Sequence, residues 1–185
     1  MDSTIFLKQA EELAKDEIWF VPLLSNLSAL LFESLDTINW AGFYLMRNGE
    51  LVLGPFQGKV ACIRIAPGRG VCGTAAKEDR TVLVKDVHQF PGHIACDSAS
   101  NSEIVVPIHG AGGEVIGVLD IDSPVKARFG AEEQEVLEEL VRLIERIPVC
   151  WEGLPGEREC AEARSAEAEC AEARTADGFL LRDIR

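Results

Sequence analysis

Asn48 and Gly49 separate two runs of strand-forming residues, 38–45 and 50–53, and they restrict the fold of this chain more than any other short segment. A two-residue hairpin of the favoured hand needs positive φ at both central positions, and Asn-Gly supplies it at the least steric cost. The two runs are therefore expected to pair antiparallel. A second hairpin is expected where 104–108 and 115–121 flank Gly110, Gly112 and Gly113. Residues 61–65 read as a further strand, and the β-branched run 81–84 is short enough for a sheet edge.

Helical spacing brackets these strands. Ile5, Leu13, Leu23, Leu24, Leu27, Leu30 and Leu31 fall at the spacing of two amphipathic helices, with Pro22 in the first turn of the second. After Gly130, the residues Val136, Leu140, Leu143 and Ile147 recur every three or four positions, the stripe of another helix, which Pro148 stops. The segment PGRG at 67–70 ends the 61–65 strand before a short helix from Cys72 to Lys77. Gly68, Gly70 and Gly73 are read as room for a tight strand-to-helix turn. A phosphate-binding loop would need a lysine and a Ser or Thr at offsets where this sequence has neither. This order predicts an α+β fold, a largely antiparallel sheet with helices packed mainly on one face.

With 185 residues, 47% of them hydrophobic, the chain is long enough for one core and too short for two. Residues 1–148 are expected to form that domain. Residues 149–185 carry ECAEAR at 159–164 and again at 169–174, an Ala- and Glu-rich repeat with nothing large and apolar to bury, and read as a flexible or partly helical extension. A formal net charge of −13 argues against nucleic acid and against an anionic membrane surface as partners. No apolar run approaches the roughly 20 residues that span a bilayer. The acidic N-terminus lacks the basic start of a secretion signal, so the expected location is cytoplasmic, where six cysteines rest as thiols. A homodimer is compatible with the sequence, which does not fix the oligomeric state.

Three of those cysteines, Cys62, Cys72 and Cys96, lie 10 and 24 residues apart in one stretch without any CxxC pair. Such spacing fits neither a structural zinc site nor a disulfide framework, so no metal is expected. They are either three buried small hydrophobes or, if the fold gathers them, one attacking thiol with two that can resolve it. Cys96 lies in the weakly periodic segment between Thr81 and Glu103, and loops of that length usually serve a site. Asp97 beside it would raise the thiol pKa, which a charged His93 nearby would offset.

Glu103, Asp120 and Asp122 are the candidate acids. In VIGVLDID, Asp120 and Asp122 point to one strand face and Ile121 to the other. Carboxylates so paired repel, lifting one pKa toward neutrality, unless the strand end is simply solvated. Trp40 and Tyr44 likewise share a strand face, as core aromatics or as a pocket wall.

The segments NWAGFYL (39–45), LVLGPFQGKVAC (51–62), GRGVCGTA (68–75), DVHQFPGHIACDSASNSEIVVP (86–107) and IGVLDIDSP (116–124) resemble the free methionine-(R)-sulfoxide reductases, which are built on a GAF domain. The likeness extends over residues 1–147. It implies reduction of free L-methionine-(R)-sulfoxide to methionine by a thiol, sulfenic acid and disulfide sequence without a cofactor, and thioredoxin or a similar dithiol as reductant. It further implies Cys96 as nucleophile, Cys62 as principal resolving thiol and Cys72 as a participant. Glu103 and Asp122 would polarise the sulfoxide oxygen, Asp120 with Tyr44 would hold the ammonium group, and Trp40 would face the substrate methyl. The alternative is a non-catalytic GAF sensor of a small ligand or of redox state.

Overall fold

The structure is a computed structural model and describes residues 2–15, 19–92 and 97–147. Pro148, the 149–185 extension, His93 and Cys96 lie outside the described residues. The helices and strands arise as their sequences dictate, with one strand shorter than expected. Helix α1 (Ser3–Ala14) starts at Asp2, whose carboxylate accepts from the backbone N–H of Thr4 and Ile5 at 3.0 and 3.2 Å. Helix α2 (Phe20–Ser34) contains Pro22 in its first turn, where a missing N–H is harmless. Strands β1 (Trp40–Arg47) and β2 (Glu50–Gly58) are joined by Asn48 and Gly49 at φ 51° and 82°, the hairpin expected from the sequence.

Strand β3 is only Arg64–Ile65, shorter than the 61–65 expected, because the Lys59 and Cys62 carbonyls bond to the Trp40 and Tyr44 side chains instead of to a neighbouring strand. Helix α3 (Gly70–Glu78) follows a turn with Gly68 and Gly70 at φ 82° and 61°. A Cβ on Gly73 would lie 2.4 Å from the Ala66 carbonyl oxygen, so this glycine lets the helix press against the turn. Strand β4 (Val82–Val84) is the expected edge. Strands β5 (Ser102–His109) and β6 (Val115–Ser123) form the second hairpin, and helix α4 (Ala131–Arg146) closes the described chain.

The sheet runs β3-β2-β1-β6-β5-β4 with every pairing antiparallel, so the last strand inserts beside the first. Helices α1, α2 and α4 cover one face. Leu23, Leu24, Leu27, Leu137, Leu140 and Ile144 there meet Phe43, Ile104, Leu119 and Ile121, all inaccessible to solvent. The buried stripe of α4 is Leu137, Leu140, Val141 and Ile144. Of the expected stripe only Leu140 is central, while Val136, Leu143 and Ile147 pack at its margins. On the opposite face helix α3 packs over Val105, Val118, Trp40 and Tyr44, with Val87 and the segment before β3 beside it. Because both faces are covered, β1 is buried from Trp40 to Leu45. The layer order is thus three helices, sheet and one helix, with the polar groups discussed next on the thinly covered side.

Candidate functional site

Strand register assembles the site. Trp40 pairs with Asp122 and Asp122 with Glu103, so these three side chains stand in one row on one face. In the next row on that face, Gly42 pairs with Asp120 and Asp120 with Val105. Tyr44, opposite Val118, begins a third. Gly42 leaves its place empty for Phe56, because a Cβ there would lie 2.3 Å from that of Phe56. Phe56 thereby stacks on Trp40 at 5.2 Å between ring centroids, and Trp40 on Tyr44 at 5.9 Å. Trp40, Tyr44, Glu103, Asp120 and Asp122, dispersed in sequence, are brought to one pocket.

Helix α3 supplies the roof. Its first turn sets the Cys72 thiol 3.7 Å from the Glu103 carboxyl, and Cys72, Glu103 and Asp120 are 5, 6 and 5% exposed. The segment before β3 supplies the side wall, and it hangs from the two aromatics by its own carbonyls. The Trp40 indole N–H donates to the Lys59 carbonyl at 3.1 Å, and the Tyr44 hydroxyl donates to the Cys62 carbonyl at 3.0 Å. The Lys59 ammonium then reaches the Asp97 carboxylate at 3.3 Å. Asn39 completes this belt, donating to Asp97 at 3.1 Å and to the Ser100 hydroxyl at 3.0 Å. Cys62 is half-buried within this wall, whereas Cys72 is buried.

Electrostatics follow from burial. Loss of water raises the Glu103 carboxyl well above the usual carboxylate range, and the nearby Asp120 and Asp122 charges push it further. Burial also lifts Asp120, to about 6, although the Cys72 thiol and Glu103 oppose the rise by hydrogen bonding to its charged form. Asp122 rises for the same first reason and then through Asp120. Burial thus shifts Glu103 toward its protonated, proton-donating form, while Asp120, at about 6, is mostly ionised at neutral pH. Cys72 is held as a thiol by burial, then by the charges of Asp120 and Glu103, which disfavours it as the attacking group. Asp97 is the opposite case. The Ala99 N–H, Asn39 and Lys59 hold its carboxylate below the usual range, so its charge is engaged in the belt.

Two buried oxygens among the described residues accept no hydrogen bond, Asn39 Oδ1 and Asp120 Oδ1. The second lines the pocket and is suited to a donor from a ligand. For a metal, Cys72, Glu103 and Asp120 offer one atom each within 4.8 Å of one another. The sequence reading did not identify Asn39, Lys59 or Ser100 as site residues. Their roles come from contacts across 58 to 61 residues or 38 residues of chain, which no local pattern signals.

A curled antiparallel sheet that shelters a small polar pocket under one short helix defines a GAF domain, and the family model described as GAF domain matches residues 23–147. The free methionine-R-sulfoxide reductase of Escherichia coli is 56% identical over 131 residues, 71% of this chain and 79% of the relative. That of Saccharomyces cerevisiae is 47% identical over 143 residues, 74% of this chain and 79% of the relative. The structure of free methionine-R-sulfoxide reductase from Neisseria meningitidis in complex with its substrate superimposes with a TM-score of 0.75 at 40% identity, covering 90% of this chain and 94% of that one. The chain belongs to the GAF-domain family and, within it, to the free methionine-R-sulfoxide reductases.

Proposed function

We propose that this chain reduces free L-methionine-(R)-sulfoxide to L-methionine, with residues 1–148 carrying the catalysis. The observation that carries the reading is the gathering, in one buried pocket, of Glu103, Asp120 and Asp122, whose carboxyls burial pushes upward, with Trp40 and Tyr44. Glu103, helped by Asp122, donates to the sulfoxide oxygen, and Asp120 takes the substrate ammonium with Tyr44 beside it. Trp40 faces the methyl group. These are the groups a sulfoxide-bearing amino acid needs at its two polar ends and its apolar end.

The thiol of Cys96 attacks the sulfoxide sulfur, the oxygen is protonated and passes to the cysteine, and methionine leaves a sulfenic acid on the protein. A second thiol, Cys62 first and Cys72 as substitute, displaces water and forms a disulfide. The sum is one sulfoxide and two thiols converted to one sulfide, one disulfide and one water. The half-buried position of Cys62, next to Val60 and Ala61 that line the pocket, supports its part, and the protonated, buried state of Cys72 supports a subordinate one. A cytoplasmic dithiol protein such as thioredoxin reopens the disulfide. Among the described residues no helix is long and apolar enough to cross a membrane.

Substrate discrimination tests this reading. An ionised Asp120 needs a free ammonium, which N-acetylmethionine sulfoxide lacks, so its kcat/KM should fall on the order of a hundredfold or more below that of the free amino acid. Equal kcat/KM for the two would remove the role given to Asp120.

A further inference from the structure

We propose that Cys72, Glu103 and Asp120 form a binding site for a thiophilic divalent cation of the zinc class, which occupies the pocket in competition with the substrate. The competition rests on the functional reading above; the cation site does not. One atom from each residue lies within 4.8 Å of the other two, close enough for a single small ion to touch all three. The three residues are 5, 6 and 5% exposed and sit on helix α3, β5 and β6, so the donors are fixed by packed elements. Independently of the cluster, Asp120 Oδ1 is buried, lines the pocket and accepts no hydrogen bond.

Charge balance points the same way. Among the described residues no Lys, Arg or His forms an ion pair with Glu103, Asp120 or Asp122, although these three carboxyl groups line the cavity with Arg69. One sulfur with two carboxylate oxygens suits zinc, whereas magnesium and calcium select oxygen-only sites. Three protein donors leave a fourth position open to water or to a solute. The site escaped the sequence because its donors stand 31 and 17 positions apart on separate elements, unlike any linear zinc motif.

Zinc chloride titrated into the full reduced chain against a chromophoric chelator, with magnesium chloride in parallel, tests the proposal. A control chain with Cys150→Ser, Cys160→Ser and Cys170→Ser removes the remote thiols. The expected result is one tight zinc per control chain and none for magnesium. Cys72→Ser, Glu103→Gln and Asp120→Asn, each near-isosteric and checked for folding by circular dichroism, should each weaken that zinc by roughly tenfold or more. Cobalt should show thiolate charge-transfer absorption in the control and lose it in Cys72→Ser. Absence of a tight zinc, or unchanged affinity in a folded Asp120→Asn or Glu103→Gln chain, would overturn the site. Free methionine-(R)-sulfoxide should displace the bound zinc. If zinc shows the full variant pattern but is not displaced, the cation site stands and the competition, with the ammonium position assigned to Asp120, is overturned.

Discussion

Replacing Asp120 by asparagine should stabilise the protein above pH 6 while depriving it of most of its activity. In the folded chain the Asp120 carboxyl is lifted from 3.8 to about 6 by burial. A difference of about two units corresponds to about 3 kcal/mol of preference for the protonated form. Because the folded pKa lies above the unfolded one, the native state binds the proton more tightly. The associated stability is complete below pH 3.8 and is lost as pH rises through about 6. At neutral pH the wild type therefore carries a buried carboxylate that asparagine does not. Relief extends to Glu103, Asp122 and Cys72, each of which Asp120 pushes upward, so the gap keeps this sign. Urea unfolding of both proteins, with a chelator present, should show a stability difference that grows by about 3 kcal/mol between about pH 4 and pH 8. A difference that does not change with pH, or that favours wild type as pH rises, would refute the electrostatic reasoning.

Two further predictions concern the frame around the pocket. Gly73→Ala sets a Cβ 2.4 Å from the Ala66 carbonyl oxygen, a backbone atom that cannot swing aside. It should cost about 1–3 kcal/mol, seen as a lower Tm, and should raise KM because α3 carries Cys72. The ring of His109 meets Asp79 and Glu145 at 2.7 Å through its two nitrogens. Burial lowers its pKa, but the hydrogen bonds and charges of those carboxylates outweigh this, and the net shift is upward. Its contribution to stability is thus present below the ordinary 6.5 and fades as pH rises through the higher folded value, so His109→Gln should flatten Tm against pH in that window.

The sequence displays the strands and helices well because their signals are local. Asn48-Gly49, the glycines before α3 and the stripe ahead of Pro148 each act within a few residues. Where the reading slipped, tertiary packing decided. Residues 61–63 have strand-forming composition, yet Tyr44 and Trp40 hold the carbonyls of Cys62 and Lys59, so only Arg64–Ile65 form the strand and Ile63 keeps a single bond to Leu53. The α4 stripe turned toward Leu137 and Ile144 because α1 and β5 pack there, a choice that helical spacing alone leaves open. In the site, the shared face of Asp120 and Asp122 was legible from strand alternation. Their alignment with Glu103 and Trp40 needed the register of three strands, and the Asn39–Asp97–Lys59 belt left no trace in the sequence.

Stoichiometry in a single turnover tests the central claim most directly. The fully reduced chain is mixed with excess free methionine-(R)-sulfoxide without reductant, quenched in acid, and assayed for methionine and remaining thiols, beside a Cys96→Ser chain. The account predicts about one methionine formed and about two thiols lost per wild-type chain, and neither in Cys96→Ser. Binding without thiol loss in the wild type, as a sensor would give, or methionine formation that survives in Cys96→Ser, would contradict it.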